Sequence, residues 1–384
     1  MLIYLFILFS CLFLFYFNKS RSLSRELTIN VTNIFLFALG IFLCMGYTTG
    51  TDWRAYEPMY ESVADNYKVM FLFTEPGYVL YTFLFRTIGV DFIHFLIITK
   101  LILYFITIRA LRFYCPKRSF FLSLLFFVAW YAFFLFIDNP LRNLIAIGFF
   151  LLSLKYLRTR QLGKYLLITL VAVSFHFSAI VMLLLYYLGK KSYSTKRLIV
   201  AYAVLNVLLI SNSLIFSVVS SLFSSLPIIG EKIAAYAGGS VDGEGKLFSV
   251  GWIIHTLIFI LLLLGRDTIE EHPYGKMIFT FAGIFAIFFR LGLTITVMGR
   301  FQLYIIVFYV AAIGMLYYAF EIRSRLIYTV FLLMVTVIPC VSYLIKDCRY
   351  IPYTNYLFFI GQEMSFDQRS SYNELNSPYK APEQ

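Results

Sequence analysis

The chain has 384 residues, of which 61% are apolar and 20% aromatic but only 14% charged, with a net charge of +12. Soluble domains are about 45–50% apolar and about 25% charged, so this composition excludes an ordinary water-soluble fold and favours one that a bilayer solvates. The basic residues crowd short loops between apolar runs, at 19–25, 109–118, 158–164 and 190–197. Such loops are typical of the cytoplasmic side of a membrane protein, so no nucleic-acid partner is expected.

The apolar runs predict an all-α polytopic membrane protein with about 12 transmembrane segments, because a spanning helix needs roughly 20 apolar residues. With the basic loops inside, the predicted spans are 1–17, 28–47, 92–111, 119–137, 143–157, 198–217, 249–264, 276–297, 301–320 and 326–345. The first run lacks a basic n-region and an A-x-A site, so it is expected to be a retained helix.

Two apolar stretches do not fit a full crossing. Residues 165–188 are too short for two spans, so we expect a short hairpin whose tip, 174–178, points outward. Residues 78–90 are interrupted by Arg86 and predict an interfacial helix on the outer face. The expected organisation is one membrane domain over 1–346, with external loops at 48–91 and 217–248, and an external tail over 347–384.

The first outward polar stretch contains GTDWRAYEPMYE (50–61) and FTEPGY (73–78). Its Gly and Pro residues predict a loop with a short helix. Asp52, beside Trp53 and Tyr56, suits a sugar site, because aromatic faces stack on pyranose C–H groups while a carboxylate holds or deprotonates a hydroxyl. Glu75 is assigned to the same sugar site. The alternative is a solvated loop with interfacial aromatic anchors.

Arginines recur at the predicted outer ends of helices. Arg142 follows Asp138, Asn139 and Pro140, and a later turn is flanked by Arg290 and Arg300. A guanidinium binds phosphate oxygens bidentately and keeps its charge, so Arg142, Arg290 and Arg300, with Arg86 as a further member, predict a diphosphate clamp. Each arginine alone could instead snorkel to the interface.

His176, in VSFHFSAIV (173–181), is the one strongly polar group of the predicted hairpin. A lone histidine is commonly a satisfied core residue, but an ionisable group within a membrane is a functional candidate by default. Imidazole also titrates near neutrality, which suits proton transfer. Asp52 and His176 are therefore the two candidates for a general base, and sequence does not separate them.

The sequence lacks the motifs of several enzyme classes. It has no Walker loop, H-E-x-x-H or G-x-S-x-G motif, which argues against an ATPase, a zincin and an ordinary hydrolase. The five cysteines form no C-x-x-C pair and lie in or beside apolar runs, which predicts packing roles. No cofactor and no metal site is expected.

The strings GTDWRAY (50–56), EPGY (75–78), LRNLIAIG (141–148), AVSFHFSAIV (172–181), GRFQLY (299–304) and YIPYTNY (350–356) resemble the EpsG family of Wzy-like O-antigen, capsule and exopolysaccharide polymerases. The early aspartate loop is also similar to glycosyltransferases of the GT-C type. The resemblance implies a bacterial plasma-membrane (inner-membrane) enzyme whose site faces the periplasm or exterior. It would transfer a growing undecaprenyl-diphosphate-linked glycan onto a lipid-linked repeat unit, with a chain-length regulator protein as a partner.

Two alternatives remain open. A flippase or transporter of the same lipid-linked oligosaccharide would carry similar aromatic and arginine groups, but on both faces of a central cavity. A membrane O-acetyltransferase that modifies the glycan would need a histidine such as His176 placed to meet an acetyl donor.

Overall fold

The computed structural model describes residues 1–19, 24–190, 192–209, 249–293, 296–362 and 364–379. These residues form helices, turns and one isolated β-bridge between Gly46 and Asn355, which confirms the predicted all-α class. Within the described ranges, six helices are long and apolar enough to cross a membrane. They are Arg25–Cys44, Phe92–Tyr114, Lys117–Asp138, Gly275–Gly292, Met298–Ala319 and Ser324–Ile345.

Further apolar helices are shorter, with 10–17 residues: Leu2–Phe17, Leu162–Phe175, Phe177–Leu188 and Val250–Leu264. A helix rises about 1.5 Å per residue, so these lengths fall below the roughly 20 residues that span a bilayer core. The six long apolar helices make the chain a multi-pass membrane protein. The total of about 12 spans and the GT-C-like architecture stay predictions.

Two compact units divide the chain: unit 1 comprises Met1–Ala179 and Phe320–Gln384, and unit 2 comprises Ile180–Ala319. The helices of unit 1 are α1 (Leu2–Phe17), α2 (Arg25–Cys44), α3 (Trp53–Phe73), α4 (Pro76–Thr87), α5 (Phe92–Tyr114), α6 (Phe120–Phe127), α7 (Leu141–Arg158), α8 (Leu162–Phe175), α15 (Ser324–Ile345) and α16 (Phe366–Asn376). Those of unit 2 are α9 (Val181–Leu188), α10 (Thr195–Leu208), α11 (Val250–Leu264), α12 (Arg266–Glu270), α13 (Gly275–Gly292) and α14 (Ile306–Ala319).

Most helices begin and end within a few residues of the predicted segments, because a long apolar run in a membrane protein is almost always a helix. The helix break after Phe175 falls inside the predicted hairpin tip. The predicted external loop 217–248 and the second half of the predicted span 198–217 lie outside the described residues.

The core of unit 1 is a continuous helix in which α6 runs into a π-helix, Val128–Asp138. Nearly all of its side chains are buried, and α1, α2 and α15 pack against it. Tyr4 and Phe42 contact Phe133 through aromatic edges, with ring centroids 5.1 and 6.1 Å away. Buried π-helical turns are rare and are found frequently at functional sites.

The stretch 48–77 differs from the predicted loop with a short helix, since α3 is 21 residues long. Its buried side chains, Trp53, Tyr56, Tyr60 and Val63, recur at intervals of three and four residues. That spacing places them on one helical face, with Pro58 tolerated inside the helix. The prediction gave the Gly and Pro residues more weight than this periodicity, which was present in the sequence.

The C-terminal segment after α15 folds onto the turn that precedes α3. The carbonyl of Thr354 accepts from Tyr47 N at 3.1 Å, and its hydroxyl accepts from Thr48 N at 2.9 Å. Asn373 of α16 accepts from the Thr48 hydroxyl at 2.6 Å. The predicted tail is thus part of unit 1; its position outside the membrane stays a prediction, as does the division at residue 346.

Unit 2 is built around α13, against which α10, α11 and α14 pack. Its polar contacts are internal: Tyr202 pairs with Thr256 at 2.6 Å, and the buried His255 pairs with Tyr309 at 2.7 Å. Polar pairs of this kind satisfy groups that cannot reach water.

Candidate functional site

The turn before α3 is held against the end of the π-helix. Asp52 N donates to the carbonyl of Asp138 at 3.2 Å, and Thr51 N donates to the Asp138 carboxylate at 3.2 Å. The hydroxyl of Thr51 also contacts the Asp138 carboxylate and lies 3.2 Å from Asp52 Oδ1. Two partly exposed carboxylates therefore flank one hydroxyl, and Asp52 stands at the N-terminus of α3.

Gly50 is needed for this close approach. Its φ is +100°, and a Cβ there would lie 1.9 Å from the carbonyl oxygen of Ile137. Gly89 has a similar φ of +83°, but a Cβ there would meet no atom within 4 Å.

Gly50→Ala is expected to lower the thermal unfolding midpoint of the purified protein much more than Gly89→Ala. Both substitutions place a side chain in the left-handed region, at a cost of about 1–3 kcal/mol, but only Gly50→Ala also displaces backbone. Scanning fluorimetry of both variants in detergent measures the difference. Equal decreases in the unfolding midpoint of the two variants would mean that the turn at Gly50 can move away from Ile137 without loss of stability.

Arg142, at the start of α7, is the centre of a second cluster. Its Nη1 donates to Glu75 at 2.5 Å, and its guanidinium lies 5.9 Å from the centre of the Tyr56 ring. Burial would lower the pKa of Arg142, but Tyr56 and Glu75 outweigh burial and hold the pKa above its usual value. The guanidinium is therefore permanently charged, and Glu75, predicted in the sugar site, neutralises part of that charge.

Tyr56 joins the two clusters, because it interacts electrostatically with both Arg142 and Asp52. Burial raises the pKa of Tyr56; Arg142 opposes that shift and Asp52 adds to it. Tyr56 is thus a neutral phenol at physiological pH. Gly77 brings α4 equally close to α8, since a Cβ there would lie 2.3 Å from Ser174 Oγ.

Two buried donors beside this cluster have no hydrogen-bond partner among the described residues: Arg142 Nε and the Tyr78 hydroxyl. An unpaired buried donor costs about 1–3 kcal/mol. Tyr78 packs on Tyr56 with ring centroids 5.7 Å apart and interacts electrostatically with Arg142. Both donors are shielded from solvent, and they add to the positive character of the interior around Arg142.

His176 lies just beyond α8, in a short polar chain with α7. Asn143 Nδ2 donates to Ser178 Oγ at 2.8 Å, and Ser178 Oγ is 2.7 Å from His176 Nδ1. The backbone N–H of Ser178 also donates to Nδ1, at 3.2 Å. Nδ1 is therefore an acceptor, which puts the proton of the neutral ring on Nε2. Whether Asp52 or His176 is the base stays a prediction.

Trp53 has no open face for a sugar. It is 3% exposed, and the guanidinium groups of Arg54 and Arg369 lie 4.7 and 5.1 Å from its ring. Arg369 of α16 also forms a nearly buried ion pair with Glu57. This geometry gives Trp53 a packing role in place of the predicted stacking role, and Tyr56, also buried, faces Arg142.

The remaining predicted arginines have other surroundings. Arg86 pairs with Glu61 at 2.7 Å, and both side chains are partly exposed. In unit 2, Arg290 is buried and donates to Asn206 at 2.8 Å, and Arg300 ends a short 3₁₀ helix. That Arg290 and Arg300 share a diphosphate with Arg142 stays a prediction.

Sequence reasoning gave no role to Asp138, Asn143, Ser178, Tyr78 and Arg369. The signals for Asn143 and Ser178 were their places beside Arg142 and His176. Those for Asp138 and Arg369 were weaker, because their partners are distant in sequence. Within the described ranges no group of three or more His, Cys, Asp or Glu residues could hold a metal ion.

The helices define a multi-pass membrane protein, and carboxylates, an arginine and tyrosines form a polar cluster in unit 1. The EpsG family model matches residues 29–357, so the chain belongs to the EpsG family. The family implies a polysaccharide-polymerase-like membrane protein, in general terms a glycosyltransferase. No curated protein matches the chain, and no solved structure matches it.

Proposed function

We propose that the chain is an oligosaccharide-repeat-unit polymerase of the bacterial plasma membrane. It binds two undecaprenyl-diphosphate-linked glycans at the outer face and transfers the growing chain from its lipid onto the incoming repeat unit. The observation that carries the proposal is the fixed positive charge of Arg142, paired with Glu75 and beside Tyr56, in the same compact unit as the turn that carries Asp52.

The proposed step is a substitution at an anomeric carbon. A hydroxyl of the acceptor unit attacks that carbon, the bond from carbon to the diphosphate oxygen breaks, and undecaprenyl diphosphate leaves. Asp52 takes the hydroxyl proton, and Arg142 stabilises the negative charge on the leaving diphosphate through Nε and its remaining N–H groups. The sugar–diphosphate bond supplies the free energy.

His176 acts as a donor in this proposal. Its Nε2–H, fixed by the hydrogen bonds at Nδ1, can donate to a diphosphate or sugar oxygen. Asp52 is preferred as the base, because a carboxylate in the partly exposed turn needs no change of tautomer to accept a proton.

The test is reconstitution. Purified protein in lipid nanodiscs, given a synthetic lipid-linked repeat unit, should form a ladder of longer glycans and release undecaprenyl diphosphate in equal amount. A ladder absent from nanodiscs, together with movement of the substrate across the bilayer of proteoliposomes, would replace the polymerase with a flippase.

His176→Gln should retain most of the polymerisation rate, whereas His176→Leu should lose about tenfold or more, in line with the loss of one preorganised donor. A glutamine amide can donate near the position of Nε2 but cannot serve as a base. His94→Gln is the matched control, since His94 is an exposed partner of Asp91. Loss of the ladder in His176→Gln alone would restore His176 as the base.

The orientation follows from the basic loops and is tested by labelling. The five native cysteines are buried, so background labelling should be low. Ala64→Cys on α3 should react with a membrane-impermeant maleimide in intact cells, and Thr159→Cys should react only after permeabilisation; both positions are exposed. The reverse pattern would invert the topology.

A further inference from the structure

An apolar groove of about 240 Å³ lies in unit 1 between the π-helix and α15. Its lining residues are Ala129, Trp130, Phe133, Phe134, Pro339, Cys340 and Tyr343. Cavities of about 150 Å³ already bind small hydrocarbons such as benzene. The volume and lining of this groove suit a segment of hydrocarbon chain.

An unusual contact joins the two walls of the groove. Pro339 lies inside α15 and has no N–H, so the carbonyl of Val335, four residues earlier, has no helical partner there. The indole of Trp130 donates to that carbonyl at 2.9 Å. The π-helix is thus fixed to α15 at the point where Pro339 lines the groove.

The position of the groove limits what can occupy it. Both of its walls belong to helices long and apolar enough to cross a membrane, Lys117–Asp138 and Ser324–Ile345. The groove residues lie in the last turns of both helices, close to the charged residues at their ends, Asp138 and Lys346. An occupant would therefore have an apolar chain with a polar group at this end.

Hydrogen bonds of neighbouring residues place the groove beside the turn that carries Asp52. Tyr343 is 39% exposed and lines the groove. Its hydroxyl lies 2.5 Å from the hydroxyl of Tyr350. Next to Tyr350, the carbonyl of Arg349 accepts from Gly50 N at 3.0 Å, in the turn that carries Asp52. The polar end of an occupant would thus lie next to the candidate site.

We propose that this groove binds the first isoprene units of the polyprenyl chain of the lipid-linked substrate, with the diphosphate directed past Tyr343 towards Asp52 and Arg142. The inference rests on the proposed function and deepens it, because it assigns a place to the lipid part of the substrate. Trp130 and Pro339 shape the groove, and Phe133, Phe134 and Cys340 contact the chain.

The test uses undecaprenyl diphosphate that carries a diazirine on an isoprene unit near the diphosphate, added to the wild-type protein in nanodiscs. Irradiation should label peptides that contain residues 129–134 or 339–343. Excess unlabelled undecaprenyl diphosphate should suppress this labelling, and excess phosphatidylglycerol should not. If only other peptides are labelled, the proposal is wrong. If phosphatidylglycerol suppresses the labelling equally well, the groove binds bulk lipid and the proposal is also wrong.

Variants that fill the groove give a second measurement. Ala129→Leu and Cys340→Leu should raise the KM for a long-chain substrate about tenfold, with kcat little changed, because a chain that binds less well loses affinity rather than chemistry. Val330→Leu adds bulk to an exposed position of α15 that is not part of the groove lining, so it should behave as wild type. An unchanged KM in both leucine variants overturns the proposal.

The two hypotheses fail in different ways. A glycan ladder without groove labelling keeps the polymerase and removes the groove. Competable labelling in a protein that forms no ladder keeps the groove and removes the polymerase. The labelling experiment uses the wild-type chain, so it decides the question even where a filled variant does not fold.

Discussion

Asp52→Asn is expected to lower the rate of glycan polymerisation by about 10²–10⁴-fold, the usual contribution of general base catalysis. The amide fills the same space, but it cannot take a proton from the acceptor hydroxyl. The KM for the lipid-linked donor should change little, because Arg142 and Tyr56 remain. The measurement is the initial rate of ladder formation by the purified protein in nanodiscs.

Asp91→Asn is the matched control. Asp91 also stands at the N-terminus of a helix, where its side chain accepts from His94 N, and asparagine is as good a capping residue as aspartate. A general effect of replacing an N-terminal aspartate would therefore appear in both variants. A near-normal rate in Asp52→Asn would remove Asp52 from the chemistry.

Arg142→Lys is expected to lower the polymerisation rate about 100-fold, although it keeps the charge. An ammonium group is a point donor, so it cannot pair with Glu75 and at the same time offer the planar N–H groups that match phosphate oxygens. A lysine that served only to place a charge at the interface would work equally well.

Arg86→Lys tests that alternative. Arg86 forms a similar ion pair with Glu61, but both side chains are more exposed than those of Arg142 and Glu75. Exposed pairs contribute about 0–1 kcal/mol, so Arg86→Lys should be close to wild type. Full ladders from both variants at normal protein abundance would refute the role of Arg142 in binding diphosphate.

Much of the candidate site could be found from sequence because its residues cluster in short strings. GTDW, EPGY, LRN and SFHFS are separated by long apolar segments, yet each supplies a residue near Tyr56 or His176. The structure gives two of their glycines a role that sequence reasoning did not assign: a Cβ on Gly50 or Gly77 would collide with Ile137 or Ser174.

The roles of residues within the site were harder to predict from the sequence. The position of Trp53 beside Asp52 in sequence suggested that Trp53 stacks on the sugar. In a helix, however, the side chains of consecutive residues point in different directions. Trp53 turns inward onto Arg369, which lies more than 300 residues away along the chain. Likewise, the tautomer of His176 depends on a hydrogen bond from its own backbone neighbour, which composition does not reveal.

What the sequence determined by itself is the class of protein, its helical character and most helix positions, because a bilayer imposes a minimum length and an apolar composition on each span independently of every other span. Only the tertiary structure decided that Thr354 and Asn373 pack on the turn carrying Asp52, that Glu75 faces Arg142, and that a groove lies beside Pro339 and Trp130 between two helices. Those features depend on single hydrogen bonds and ion pairs between segments far apart in the chain, and no periodicity within one segment encodes its distant partner.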